Sequence, residues 1–208
     1  ALDLALESSL ETLRAETCDL DIGLLVAAAG FGTSGPFLNA PLDQEIAMLH
    51  VNCRALMELT WYFGRRFAQR GRGGIVLLSS IVGFQGTPFA AHYAATKAYV
   101  QGLGEALAVE LAPLSIDVLT AAPGPTHSGF AARAGMQMGM ALRPQDIALP
   151  ILNALGRRST VLPGLLSKFL TAALVPLPRW ARVRMMGTVM GGMTTHQQNS
   201  RSDWAEVD

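Results

Sequence analysis

Cysteine, charge and aromatic rings are all scarce in this chain of 208 residues, and each scarcity removes a class of function. The two cysteines, Cys18 and Cys53, stand apart with no paired spacing. That excludes a disulfide framework or a cysteine-rich zinc site and makes a reducing, cytoplasmic setting the expectation. Sixteen basic side chains face sixteen acidic ones and no block of like charge occurs. Nothing therefore supplies the electrostatic footprint of a nucleic-acid partner. His50, His92, His127 and His196 are scattered, and no metal is expected. A long uninterrupted apolar run is missing too. Residues 73–96 carry no formal charge, but Gly83, Gly86 and Pro88 break them into strand, loop and helix start rather than a membrane span. The first twenty residues are acidic and periodic, without the basic start and apolar segment of a signal peptide.

Half of the residues are hydrophobic, enough for one sizeable core. Short aliphatic runs at 22–28, 75–79, 116–121 and 160–162 read as buried strands bounded by Gly, Pro or Asp. Helical patterns lie between them. Residues 8–17 set Leu10 and Leu13 on one side, 42–69 repeat through Leu49, Cys53, Leu56 and Phe63, and 92–112 align Val100, Leu103, Leu107 and Leu111 before stopping at Pro113. Strands buried on both faces and separated by helices imply parallel pairing and a three-layer α/β sheet.

Ligands of open parallel sheets bind beyond the carboxyl ends of the strands. The segments there, 27–36, 79–88 and 122–130, are all rich in Gly and small residues, which permits close backbone approach to a flat or phosphorylated ligand. Tyr93 and Lys97 share a helix face at i and i+4, next to the second of these loops. An ammonium near a phenol favours the phenolate and is expected to lower the Tyr93 pKa toward neutrality. Ser80, at a strand end, reaches the same point.

Taken in order, these residues resemble the short-chain dehydrogenase/reductase family, NAD(P)-dependent oxidoreductases on a Rossmann-type doubly wound parallel sheet. "YAATK" (93–97) is similar to the family's Y-x-x-x-K, Ser80 in "GGIVLLSS" to its catalytic serine, and Asn52 in "LHVNCRAL" to its helix asparagine. "AAAG" (27–30) sits where the family has N-N-A-G, and "PGPT" (123–126) where it has a P-G turn and threonine. The similarity runs from residue 1 to about 164. It implies Tyr93 as general acid/base, Lys97 lowering its pKa and binding the nicotinamide ribose, Ser80 orienting the substrate oxygen, and Asn52 holding a water that links Lys97 to solvent. Ala28, Ala29 and Gly30 would lie against the cofactor ribose, and Pro123, Gly124 and Thr126 against the nicotinamide. Asp3 and Leu4 look like the family's adenine-contacting pair. The implied reaction interconverts a secondary alcohol and a ketone or aldehyde, with NAD or NADP as cofactor.

Two departures stand out. Ala27 and Ala28 replace both asparagines of N-N-A-G, and no T-G-x-x-x-G-x-G loop occurs in the sequence. If Asp3 ends the family's third strand, two β-α units lie upstream, and the sheet here is the fold without them. Such a chain is expected to bind cofactor poorly and to expose an apolar sheet edge. Without a cofactor, the alternative is a binding protein on the same fold, or a weak hydrolase using Ser80, Tyr93 and Lys97. Residues 1–164 form the catalytic core in this reading, 165–197 an apolar and basic helical extension, and 198–208 a disordered tail. The extension reads as a lid over a lipophilic substrate, as a peripheral membrane contact, or as ordinary packing. Ala98, Gly102, Gly104, Ala106 and Ala108 on the Tyr93 helix suit a homodimer or homotetramer, as the family commonly forms.

Overall fold

Alternation along the 75–79 run decides the architecture. Ile75 and Leu77 belong to one core cluster and Val76 to another, and none of the three is exposed, so helices must cover both faces of the strand. The computed structural model describes residues 1–137, 139 and 141–198. Its sheet runs β1 (Leu24–Ala27), β2 (Gly73–Leu78), β3 (Ile116–Ala121) and β4 (Thr160–Val161), all parallel and in that spatial order. Leu25 registers with Ile75, and Ile75 with Val118. Consecutive neighbours wind in one direction, which is one half of a doubly wound order. Along β1, at the edge of the described sheet, Leu24 and Val26 are exposed.

The helices form the outer layers. On one face α1 (Glu7–Thr17), α3 (Leu56–Arg70) and α4 (Ala91–Glu110) bring Leu10, Leu56, Phe63, Phe67 and Val100 against Ile75, Leu77, Ile116 and Val118. Each such side chain contributes roughly 1.5–3 kcal/mol by leaving water. On the opposite face α6 (Pro144–Ala154) seats Ile151 and Ala154 against Val76, Leu119 and Ala121. The short α5 (Phe130–Arg133) precedes it, and α7 (Leu165–Leu174) and α8 (Arg179–Met193) follow β4. Among the described residues no helix is long and apolar enough to cross a membrane. The expected tail at 198–208 lies outside the described residues from 199 onward.

The helical pattern read at 42–69 is three segments in one continuous helical path. Between α2 (Leu42–Leu49) and α3 the residues His50–Ala55 form a π-helical turn, with helical backbone angles at both junctions. The wider turn changes the rotation of α3 relative to α2, and such turns recur where a side chain must be aimed. Asn52 lies inside it, wholly buried. The path ends at Gly71, whose φ of 72° lets its N–H return to the carbonyls of Phe67 and Ala68.

Of the small residues on α4, Ala98, Gly102 and Ala106 are exposed, but Gly104 faces the sheet and Ala108 packs against the first core cluster. The expectation that all five suit a partner helix is thereby corrected: two are used inside. A Cβ on Gly104 would overlap Thr120 Oγ1 and approach Leu77 Cδ1 to 3.2 Å. Gly104→Ala should therefore destabilise by roughly 1–2 kcal/mol, overpacking outweighing alanine's better helix propensity. The Thr120 hydroxyl is buried without a hydrogen-bond partner among the described residues, so removing it costs little. Urea denaturation should show Thr120→Ala restoring most of the stability lost in Gly104→Ala.

Candidate active site

The first turns of α4 begin from a strained residue. Phe89 sits in the left-handed region at φ 61°, and its carbonyl accepts the Gly35 N–H at 2.8 Å, tying the loop after β1 to the start of the helix. Such a conformation costs about 1–3 kcal/mol and persists only where surrounding contacts enforce it. Tyr93 and Lys97 lie one turn apart just beyond it, both buried.

Lys97 is held inside by two specific hydrogen bonds. Its Nζ donates to the Leu78 carbonyl at 2.7 Å, and its own carbonyl accepts from Ser79 Oγ at 2.9 Å. A Cβ on Gly83 would stand 2.8 Å from the Lys97 carbonyl carbon and oxygen, so only glycine lets the turn after Ser80 seat against α4. Asn52 then joins three elements. Its Nδ2 donates to Phe31 O at 2.9 Å and Thr96 Oγ1 at 3.0 Å, and its Oδ1 accepts the Phe31 N–H at 3.1 Å. Thr96 Oγ1 in turn donates to Tyr93 O at 2.8 Å. Both amide protons of Asn52 are thus spent within the protein, leaving Oδ1 as its acceptor beside Gly30. A Cβ on Gly30 would come within 2.9 Å of that Oδ1 and 3.4 Å of Lys97 Nζ.

Ser80 closes the group. Its Oγ is near enough to the Tyr93 hydroxyl to act on its pKa, and its hydrogen bonds to Pro123 O and Val82 N are both long, at 3.4 Å. Pro123 O also accepts the Ile81 N–H at 3.1 Å, and Thr126 Oγ1 donates to Gly124 O at 3.1 Å. The structure therefore brings Asn52, Ser80, Tyr93 and Lys97 together with Gly30 and Pro123. Ala28 and Ala29 present exposed backbone just past β1. The Asp3 carboxylate accepts the Ala5 N–H at 3.0 Å, and Leu4 packs on the core that includes Leu10.

Burial reverses one electrostatic expectation. The Tyr93 hydroxyl is pushed well above the usual phenol range by burial, with the Ser80 hydrogen bond pulling only partly the other way. Lys97 Nζ lies 5.8 Å from the ring centroid and is itself lowered to about 8 by burial, slightly offset by Cys53. Burial of the phenol outweighs what its polar neighbours offer, and Tyr93 holds its proton.

The surroundings of Tyr93 are apolar. Met48, Ala90, Met186 and Met190 are buried around it, with Phe31, Val82 and Phe130 alongside, the Phe130 ring centroid at 5.1 Å. Two polar partners escaped the sequence reading because each pairs residues far apart in the chain. Glu45, buried on α2, meets His92 Nδ1 at 2.6 Å. Ser167, buried on α7 within an otherwise apolar run, accepts the Gly124 N–H at 2.8 Å. A serine among leucines was the available signal for the second; a lone histidine gave none for the first.

The sequence profile described as short chain dehydrogenase matches residues 3–138. The chain is 29% identical over 170 residues to the 7beta-hydroxysteroid dehydrogenase of Clostridium sardiniense, covering 80% of this chain and 65% of that protein. It is 30% identical over 129 residues to human 17-beta-hydroxysteroid dehydrogenase type 1, covering 62% and 39%. Among solved structures, a short-chain dehydrogenase from Sphingobium yanoikuyae in complex with NADPH aligns at a TM-score of 0.73 and 28% identity, covering 97% of this chain and 77% of that one. A structure from work on 7beta-hydroxysteroid dehydrogenase stereoselectivity aligns at 0.79 and 25%, covering 89% and 74%. The chain spans less than two thirds of the length of these curated relatives.

The lowered Lys97 pKa gives a stability test with a definite sign. Between about 8, where folded Lys97 loses its proton, and 10.5, where the unfolded side chain does, the unfolded chain binds more protons and stability rises with pH. Cys53, pushed by burial from 9.0 up to about 11, opposes this above 9.0, and Tyr93 opposes it above 10.0. Urea denaturation at successive pH values should therefore show stability climbing from about 8 to 9.0, levelling to 10.0 and falling above it. The climb should be absent from Lys97→Met.

Proposed function

The chain belongs to the short-chain dehydrogenase family, and on that premise we propose that it carries the catalytic part of an NAD(P)-dependent oxidoreductase interconverting a secondary alcohol and a ketone or aldehyde. The observation that carries this reading is the convergence of Ser80, Tyr93 and Lys97, with Asn52 behind them, around the backbone at Gly30.

The residues fit a nicotinamide cofactor where Gly30 leaves room between Asn52 Oδ1 and Lys97 Nζ, and where the backbone of Ala28 and Ala29 lies open beyond β1. Lys97, with ammonium protons beyond the one given to Leu78 O, would hold the ribose hydroxyls there, and Pro123, Gly124 and Thr126 would border the nicotinamide. Bound there, NAD(P) supplies or takes up the hydride. Tyr93 Oη gives a proton to the substrate oxygen in reduction and takes it back in oxidation. Ser80 Oγ, beside that hydroxyl, orients the same oxygen. Burial keeps Tyr93 protonated until a substrate oxygen gaining charge arrives as the better acceptor.

The substrate is lipophilic in this reading. Tyr93 is walled by Met48, Met186, Met190, Phe31 and Phe130, an adaptable apolar lining for a fused-ring or fatty carbonyl compound, and the named hydroxysteroid dehydrogenases support that class. Residues 1–164 hold the catalytic core and 165–197 cover it. The free cysteines suit a cytoplasmic setting. A homodimer or homotetramer forms along α4, where Ala95, Ala98, Tyr99, Gly102 and Ala106 make an exposed stripe beside a groove of about 360 Å³ lined by Leu49 and Met57.

Tyr93→Phe tests the proton role. With NADPH or NADH and a steroid ketone, the variant should lose at least roughly a hundredfold in kcat. Its thermal stability should stay close to that of the parent, since only a hydroxyl is removed. Unchanged turnover would assign the proton to another group.

A further inference from the structure

α7 breaks the usual rule for a surface helix. Its buried position is Ser167, while Leu165, Lys168, Phe169 and Ala172, spaced at i, i+3, i+4 and i+7, stand in solvent. Leu165 is 82% exposed and Phe169 70%. The apolar surface continues through the connection to α8, where Val175 and Trp180 are 61% and 64% exposed. The connection is tied back to α8: the Arg182 guanidinium donates to Val175 O and Leu177 O, both at 2.8 Å. Arg184 lies over the Trp180 ring, 5.5 Å from its centroid.

Charge says what this surface meets. From residue 147 to 198 the sequence has no Asp or Glu, and Arg157, Arg158, Lys168, Arg179, Arg182 and Arg184 are its charged side chains; all sixteen acidic residues lie elsewhere. Lys168, Arg179 and Arg184 are exposed beside Phe169 and Trp180. A second copy placed on this face would set cation against cation. An anionic bilayer sets phosphate and carboxylate headgroups against the cations and offers the apolar and aromatic side chains the acyl boundary, where tryptophan partitions best.

We propose that α7, the 175–178 connection and the first turn of α8 form a docking face for an anionic lipid surface, with Leu165, Phe169 and Trp180 entering the interface and Lys168, Arg179 and Arg184 on the headgroups. The contact is peripheral and does not depend on the reaction at Tyr93. It places the apolar surroundings of Tyr93, to which Leu174 of α7 and Met186 of α8 belong, next to a phase in which lipophilic carbonyl compounds concentrate.

Co-sedimentation of the 208-residue chain with phosphatidylcholine vesicles, with and without phosphatidylserine, tests this. Partitioning onto the anionic vesicles should be roughly tenfold stronger and should fall toward the neutral-vesicle level as salt is raised. Phe169→Ser with Trp180→Ser, and separately Lys168→Gln with Arg179→Gln and Arg184→Gln, should each weaken it by about tenfold or more while leaving the circular dichroism spectrum unchanged. Equal or absent sedimentation with both vesicles overturns the proposal on the unaltered protein alone. It is also overturned if light scattering shows self-association that the Phe169 and Trp180 changes abolish while vesicles capture nothing: the face is then a subunit contact.

Discussion

An ammonium taken out of water needs acceptors built to receive it, and the seating of Lys97 sets the terms for the rest of the site. Its Nζ is fixed by Leu78 O at the end of β2, and the turn beyond that strand presses against its backbone through Gly83 and Ser79. The helix is thereby anchored to the sheet at the point where Ser80 leaves it. Tyr93, one turn earlier, acquires its position from that anchorage and from the Asn52–Thr96 link rather than from contacts of its own hydroxyl. The arrangement is preorganised on rigid elements, which is what proton transfer at a fixed atom requires.

The fold was legible because it rests on periodicities. Ile75, Val76 and Leu77 announce a strand covered on both sides, and the stripe through Val100 announces the helix beside it. The site was legible where it is local: Tyr93 and Lys97 are one helical turn apart, and Ser80 ends a strand. Long-range pairings left no such trace. Glu45 with His92 and Ser167 with Gly124 join residues that only the folded chain makes neighbours. The π-helical turn at Asn52 was hidden as well, since one extra residue per turn hardly disturbs a hydrophobic pattern read over 42–69. The sign of the Tyr93 shift was misread for a related reason: spacing gives a charge's proximity, whereas burial depends on everything packed around it.

The molecule is polarised along its length. Thirteen of the sixteen acidic residues fall at or before Asp146 and the other three after residue 202, while 147–198 is basic and apolar and holds four of the nine methionines. Net neutrality conceals this uneven distribution of charge along the chain. Tyr93 is buried between the two parts, with side chains of α2 and α8 packed around it.

The hydrogen bond from Gly124 N–H to Ser167 Oγ makes the turn after β3 and the helix α7 mechanically one piece. Any ligand group that draws on that N–H must first displace a well-placed hydroxyl, so its affinity is reduced by the bond it replaces. Occupancy at the turn and the set of α7 are therefore linked quantities: whatever steadies the helix discourages the ligand, and whatever frees the helix admits it.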